Sequence, residues 1–380
     1  MLDIEILRII WWLLLGVLFM GFAVTDGFDL GVAILLPLVA KNETERRIVL
    51  NTIGPFWEGN QVWIILGAGA IFAAWPYVYA ATFSTFYLLM LLLLLTLGIS
   101  RPVSFKYRSK LPYLFWRRFW DWIVFIGGFF PAIIFGILVG NVLLGVAFHF
   151  DDMLRIYHTG SFADLFQPFA WWCGFTSLTM LVMHGGLYLA IKTDNPIRSR
   201  AIFWSRYSAI LLIICFALGG VWMTRITGYM IVSGVDPLGY SNPLHKEVTT
   251  ILGGWLQNYS RYPISLIVPA LGFIGALGAC FTASLGNSRF AFICSSFSII
   301  GIIGTVGVSM FPFILPSTVD LQSSLLVWDA SSGRFTLLLM LFAVIVFLPI
   351  ILLYTAWVYH ALRGKVRGSA IAQDQQHGMY

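Results

Sequence analysis

Charge is what this sequence has least of. Only 11% of its 380 residues are Asp, Glu, Lys or Arg, against about a quarter in an ordinary soluble domain. Mean hydropathy is +0.86, and 59% of the residues are hydrophobic. A soluble enzyme is excluded, and a polytopic membrane protein is implied. Cysteine is also scarce. The four present, Cys173, Cys215, Cys280 and Cys294, lie inside apolar runs with no CxxC or Cys–His spacing. That argues against zinc or iron–sulfur chemistry and makes them packing residues. No GxxxxGK[ST] or dinucleotide-binding pattern occurs, and the loops are too short for a soluble catalytic domain. Residues 1–8 lack a basic n-region and a cleavage site, so the first apolar run is expected to remain in the mature protein.

Apolar runs are what the sequence has in abundance. Nine are long enough to cross a bilayer, near 9–36, 52–75, 78–100, 122–148, 165–191, 205–225, 263–285, 290–312 and 335–359. The stretch from Val62 to Ser100 is uncharged and too long for one helix, and Pro76 divides it. If the C-terminus is cytoplasmic, the segments 37–51, 101–121, 192–206, 286–289 and 360–380 face inward and carry 17 of the 23 basic residues. The positive-inside rule therefore places the N-terminus outside and the C-terminus inside. It also accounts for the net charge of +6 without nucleic acid. The outer loops, 149–164, 226–262 and 313–334, are polar and edged with Tyr and Trp. Small residues recur at Gly136xxxGly140, Gly272xxGly275xxGly278 and Gly301xxGly304xxGly307. Such spacing permits close helix contact, either within the chain or against another membrane subunit.

Few ionisable residues fall at membrane depth. Asp26 and Asp29, in Thr25-Asp26-Gly27-Phe28-Asp29, stand three apart on one helix face within the first run. Glu58 opens the second run, Arg101 ends the third, and Asp121 opens the fourth. A carboxylate in hydrocarbon costs several kcal/mol, about 3 on insertion scales, so each needs a partner or a polar path. Two readings follow: an inlet for protons, or structural ion pairs such as Asp29 with Arg101. For Asp121 the helix start offers a third, a routine N-terminal cap. His184 is the one deep histidine. Haem ligation by a pair of deep histidines within this chain is therefore not expected, and a hydrogen-bonded interior role is. A secondary transporter would also carry acids at mid-membrane, but its inverted repeats and broken helices are not evident.

Several stretches together resemble one family. They include Thr25-Asp26-Gly27-Phe28-Asp29, Trp57-Glu58-Gly59-Asn60-Gln61-Val62-Trp63, Phe72-Ala73-Ala74-Trp75-Pro76, Ser241-Asn242-Pro243-Leu244 and Trp328-Asp329-Ala330-Ser331-Ser332. The sequence is similar, nearly end to end, to subunit II of the bacterial cytochrome bd quinol oxidases. The resemblance implies an all-α integral membrane protein of nine helices: one four-helix bundle over 9–148, a second over 165–312, and a peripheral helix at 335–359. It implies a subunit of an inner-membrane oxidase that oxidises quinol and reduces dioxygen to water, without a complete active site of its own. Haem b and haem d would sit in the homologous large subunit I. A small single-span subunit, lipid and a structural quinone are further expected partners. Asp26, Asp29, Glu58, Arg101 and Asp121 match polar positions of the family's proton route. Two departures bear on its mouth. Glu58 stands where close relatives often carry Asp, and Lys106 stands where some carry an acid.

Overall fold

The computed structural model describes residues 3–368. Met1, Leu2, His377 and the rest of the segment beyond 368 lie outside the described residues. Eight helices among the described residues are long and apolar enough to cross a membrane. The first, α1 (Ile4–Val39), is 36 residues long, about 54 Å at the α-helical rise. The short amphipathic α2 (Glu43–Ile53) follows, with Asn42 accepting from the Glu45 N–H as its cap. Then come α3 (Trp57–Ala74) and α4 (Pro76–Thr85). Pro76 occupies the first position of α4 and Trp75 leaves helical geometry between them, as the sequence suggests.

The third apolar run is one continuous rod of mixed winding: α5 (Tyr87–Leu93), a π-helical segment (Leu94–Ser100) and α6 (Arg101–Tyr107). A π-turn carries more residues per turn than an α-turn, so it rotates everything after it. Arg101 is the first residue past it. Gln61 Nε2 donates to the Leu97 carbonyl within the π segment at 3.2 Å.

The remaining helices are α7 (Leu114–Leu144), α8 (Pro168–Lys192), α9 (Ile197–Met223), the short α10 (Gln257–Arg261), α11 (Ile267–Ser284), α12 (Ser288–Met310) and α13 (Arg334–Ala361). Two start well before the sequence suggests. Helix α7 begins at Leu114 and α9 at Ile197, because basic and aromatic residues extend both beyond their apolar cores. Three two-stranded antiparallel hairpins join the opposite helix ends. They are β1 (Phe148–Phe150) with β2 (Ile156–His158), β3 (Thr227–Ser233) with β4 (Glu247–Leu252), and β5 (Phe313–Leu315) with β6 (Leu325–Leu326).

Helix α1 is the axis of the core. It packs on α3, α7, α8 and α12, and from Asp26 to Leu36 every residue is buried. The glycine stripes are spent internally. A Cβ on Gly136 would meet the Cys173 carbonyl oxygen at 2.2 Å, and one on Gly301 would meet the Gly272 nitrogen at 2.3 Å. They bring α7 onto α8 and α12 onto α11, so the alternative of a docking face for another subunit is not where these glycines act. In α13, by contrast, only Leu337 is buried.

Candidate functional site

The buried face of α1 brings Asp26 and Asp29 into one site with Arg101. Arg101 Nη2 donates to Asp26 Oδ1 at 2.8 Å, and both side chains are fully buried. The pairing differs from the Asp29–Arg101 contact weighed from sequence. Asp29 is served by α3 instead: Asn60 Nδ2 donates to Asp29 Oδ2 at 2.8 Å. The Asn60 Oδ1 atom in turn accepts from the Tyr359 hydroxyl of α13 at 2.7 Å. The two carboxyls lie close enough to interact with one another as well. Asp26 Oδ2 and Asp29 Oδ1 have no N–H or O–H donor among the described residues. Contact between two carboxyl oxygens is a hydrogen bond only when one of them carries a proton. One guanidinium against two acids balances in charge on the same condition.

Aromatic rings close the site toward α8. Phe28, between the two acids in sequence, stacks on Tyr188 with ring centroids 3.9 Å apart. The Tyr188 hydroxyl donates to the Thr52 carbonyl at 2.8 Å. Phe56 stacks on Tyr359 at 4.8 Å, and Lys192 Nζ lies 5.0 Å over the Phe56 ring while donating to the Leu362 carbonyl.

Glu58 is not part of this cluster. Its side chain is 67% exposed and faces Lys106, with 3.7 Å between Oε1 and Nζ. Residues two apart on a helix point in nearly opposite directions, so Asn60 faces inward and Glu58 outward. The charge reversal at Lys106 therefore makes a solvated ion pair with Glu58, a contact of at most about 1 kcal/mol. Asp121 is likewise not a cap, since α7 begins seven residues earlier. It accepts from Arg108 Nε at 2.5 Å and Arg46 Nη1 at 3.1 Å. Arg108 also spans both oxygens of Glu43 at 3.0 Å. This network ties α2 to the loop after α6 and to α7.

His184 has both ring nitrogens engaged: Nδ1 with Ser295 Oγ at 2.7 Å and Nε2 with the Val24 carbonyl at 2.9 Å. Phe292 stacks on the ring at 4.4 Å. Neither nitrogen is available to an iron, and no group of three or more His, Cys, Asp or Glu able to hold a metal occurs among the described residues. Among the described residues, the one deep histidine is thus not free to ligate a haem.

At the hairpin end, two buried cations hold the loops down. Lys246 Nζ donates to Asp329 Oδ2 at 2.6 Å and to the Pro243 carbonyl. Arg8 donates to Ser331 Oγ at 2.7 Å and to the carbonyls of Pro237 and Gly239. The Ser-Asn-Pro-Leu and Trp-Asp-Ala-Ser-Ser motifs are thus two sides of one clamp. Burial raises the Asp329 carboxyl above its ordinary range, against the opposing pull of Lys246.

The family described as cytochrome bd terminal oxidase subunit II matches residues 7–362. The chain belongs to the cytochrome bd terminal oxidase subunit II family. It is 46% identical over 381 residues to the cytochrome bd-I ubiquinol oxidase subunit 2 of Escherichia coli K12, covering all of both chains. It is 29% identical over 357 residues to the cytochrome bd ubiquinol oxidase subunit 2 of Bacillus subtilis, covering 94% of this chain and 96% of that one. The solved structure of a bd oxidase from Geobacillus thermodenitrificans aligns over 94% of this chain and 98% of its own, with a TM-score of 0.64 at 14% identity. At that identity the likeness speaks to the fold. Membership of subunit II of the bd oxidases favours the oxidase reading over a proton-coupled transporter.

Sequence reasoning missed two members of the site, Asn60 and Tyr359. Asn60 lies inside the Trp57–Trp63 motif and could have been found there. Tyr359 carries no such mark, being one aromatic among many in an apolar run.

Proposed function

We propose that this chain is the second subunit of a quinol-oxidising bd-type oxidase of the inner membrane, and that its buried acid pair passes protons to the oxygen-reducing centre of the complex. The observation that carries this reading is the burial of Asp26 and Asp29 together beside a single cation, Arg101. Arg101 fixes one negative charge on the pair, so the second carboxyl must hold a proton or face an uncompensated charge in a fully buried site. A group with one exchangeable proton and two acceptor oxygens can receive a proton on one side and give it up on the other. Glu58 and Asp121, nearer to water, form the entrance side of the route.

The working arrangement has the N-terminus periplasmic and the C-terminus cytoplasmic. The basic loops support it through the positive-inside rule. Trp57–Ala74 serves as the ninth span, helices within 9–148 and 165–312 form two four-helix groups, and α13 stands outside them. That only Leu337 of α13 is buried supports that last placement. Haem b and haem d belong to the large subunit I, which together with quinol, lipid, a structural quinone and a small single-span subunit completes the complex. Protons taken from the cytoplasm and released by quinol outside would conserve energy without a pump.

Oxygen consumption by the assembled oxidase tests the route. Asp29→Asn should slow it at least tenfold with the haem spectrum intact, while Glu58→Gln, replaceable by water at the surface, should stay within about twofold. Loss of activity only in proportion to lost haem would show that the acids are structural and the inlet reading wrong.

A further inference from the structure

The bond between Asn60 and Tyr359 links the exposed helix α13, through Asn60, to the buried Asp29. Asn60 is 2% exposed, so neither end of its amide can turn to bulk water. One end meets Asp29 Oδ2 at 2.8 Å and the other meets the Tyr359 hydroxyl at 2.7 Å. A carboxylate oxygen can only accept, so an ionised Oδ2 takes the NH2 end of the amide and Tyr359 then donates to the amide oxygen. If the proton moves onto Oδ2, that oxygen becomes a donor and the amide must present its oxygen instead. Tyr359 can follow, because a phenol also accepts. A hydroxyl is the one group at 359 that satisfies both orientations without rearranging α13.

We propose that Tyr359 is a positioning residue of the acid pair: through Asn60 it lets Asp29 be hydrogen-bonded in either protonation state. The inference deepens the proton-inlet reading and rests on it for its kinetic consequence. The titratable groups facing Asp29 are Asp26 from its own helix, Arg101 from α6, Tyr188 from α8 and Tyr359 from α13. Tyr188 cannot donate in its place, since its one hydroxyl proton is committed to the Thr52 carbonyl. Phenylalanine at 359 would keep the ring stacked on Phe56 and remove only the hydroxyl.

The test uses the purified, haem-loaded oxidase in four forms: wild type, Tyr359→Phe, Asn60→Leu and the double variant. Tyr359→Phe should lower kcat roughly two- to tenfold, the weight of one buried hydrogen bond, with KM for quinol unchanged. In the Asn60→Leu background the same change should have no further effect. Infrared absorption of the protonated carboxyl, assigned as the band lost in Asp29→Asn, should shift in Tyr359→Phe. Equal slowing by Tyr359→Phe in both backgrounds, or an unshifted band, overturns the proposal. Should Asn60→Leu fail to assemble, the infrared shift in Tyr359→Phe decides alone. If Asp29→Asn abolishes the band yet leaves turnover intact, the inlet reading fails, while a band shift in Tyr359→Phe still upholds the positioning role.

Discussion

Arg101 reaches Asp26 across 75 residues of sequence, Nη2 to Oδ1 at 2.8 Å, with neither side chain touching solvent. The π-helical turn immediately before Arg101 sets the direction of that reach, and Gln61 grips the turn at Leu97. The guanidinium Nε and Nη1 have no hydrogen-bond partner among the described residues. Its charge is therefore directed mainly at the acid pair, and the Nη2–Oδ1 bond fastens α6 to α1.

Removing one member of a buried ion pair leaves a naked charge, commonly at a cost of about 3–5 kcal/mol, whereas removing both is far milder. Arg101→Gln is expected to lower the yield and thermal stability of the haem-loaded complex sharply. Adding Asp26→Asn to it should recover much of the loss, although not the activity. A double variant as unstable as Arg101→Gln alone would mean that the arginine acts through packing and not through its charge.

A second prediction concerns the corner where α1, α2 and α9 meet. Glu45 Oε2 accepts from the Lys41 N–H at 2.7 Å and from Arg200 Nη1 at 2.7 Å. Burial alone would raise its carboxyl pKa, but these donors outweigh burial and hold it below its ordinary 4.5. A carboxyl depressed in the folded state contributes stability that is complete above the unfolded pKa and fades as pH falls through the folded one. Glu45→Gln should thus melt below wild type at pH 7, by about 1 kcal/mol. The difference should close as the medium is acidified below about pH 4. A gap that persists unchanged in acid would assign the stabilisation to shape and not to charge.

How much of this was legible beforehand depended on charge. Asp26, Asp29 and Arg101 announce themselves because an ionisable group in an apolar run has few reasons to be there. Their pairing was not legible, since it turns on the π-helical segment, and nothing in Leu-Leu-Thr-Leu-Gly-Ile-Ser marks an extra residue per turn. Glu58 was visible as an acid, but its outward face follows from the phase of α3, which only packing fixes. Asp121 looked like a cap because Trp116–Trp120 reads as loop, yet those aromatic and basic side chains cover apolar surface as readily as they meet water. Asn60 and Tyr359 are neutral, and a neutral polar residue in a membrane helix leaves no signature until its partner is in place. The hairpins at the far end were hidden within loops known only by their polarity.

The closest approach of α1 and α8 lies beside the acid pair and offers a third prediction. A Cβ on Gly31 would stand 2.0 Å from the Leu181 carbonyl oxygen and 2.9 Å from Gly185 Cα, and one on Gly185 would stand 2.5 Å from the Gly31 carbonyl carbon. Both obstacles are backbone, so no side-chain rotation relieves them and the helices must part. Overpacking of this kind costs typically 1–3 kcal/mol. Because Gly31 follows Asp29 by two residues, the displacement reaches the carboxyls as well. Gly16, on the same helix, has nothing within 4 Å of its would-be Cβ, and alanine there should be neutral or slightly stabilising. Gly31→Ala is therefore expected to reduce both thermal stability and oxygen consumption per haem, with Gly16→Ala indistinguishable from wild type in each. Equal behaviour of the two variants would mean that the α1–α8 contact yields without cost, and that the acid pair does not depend on it for its geometry.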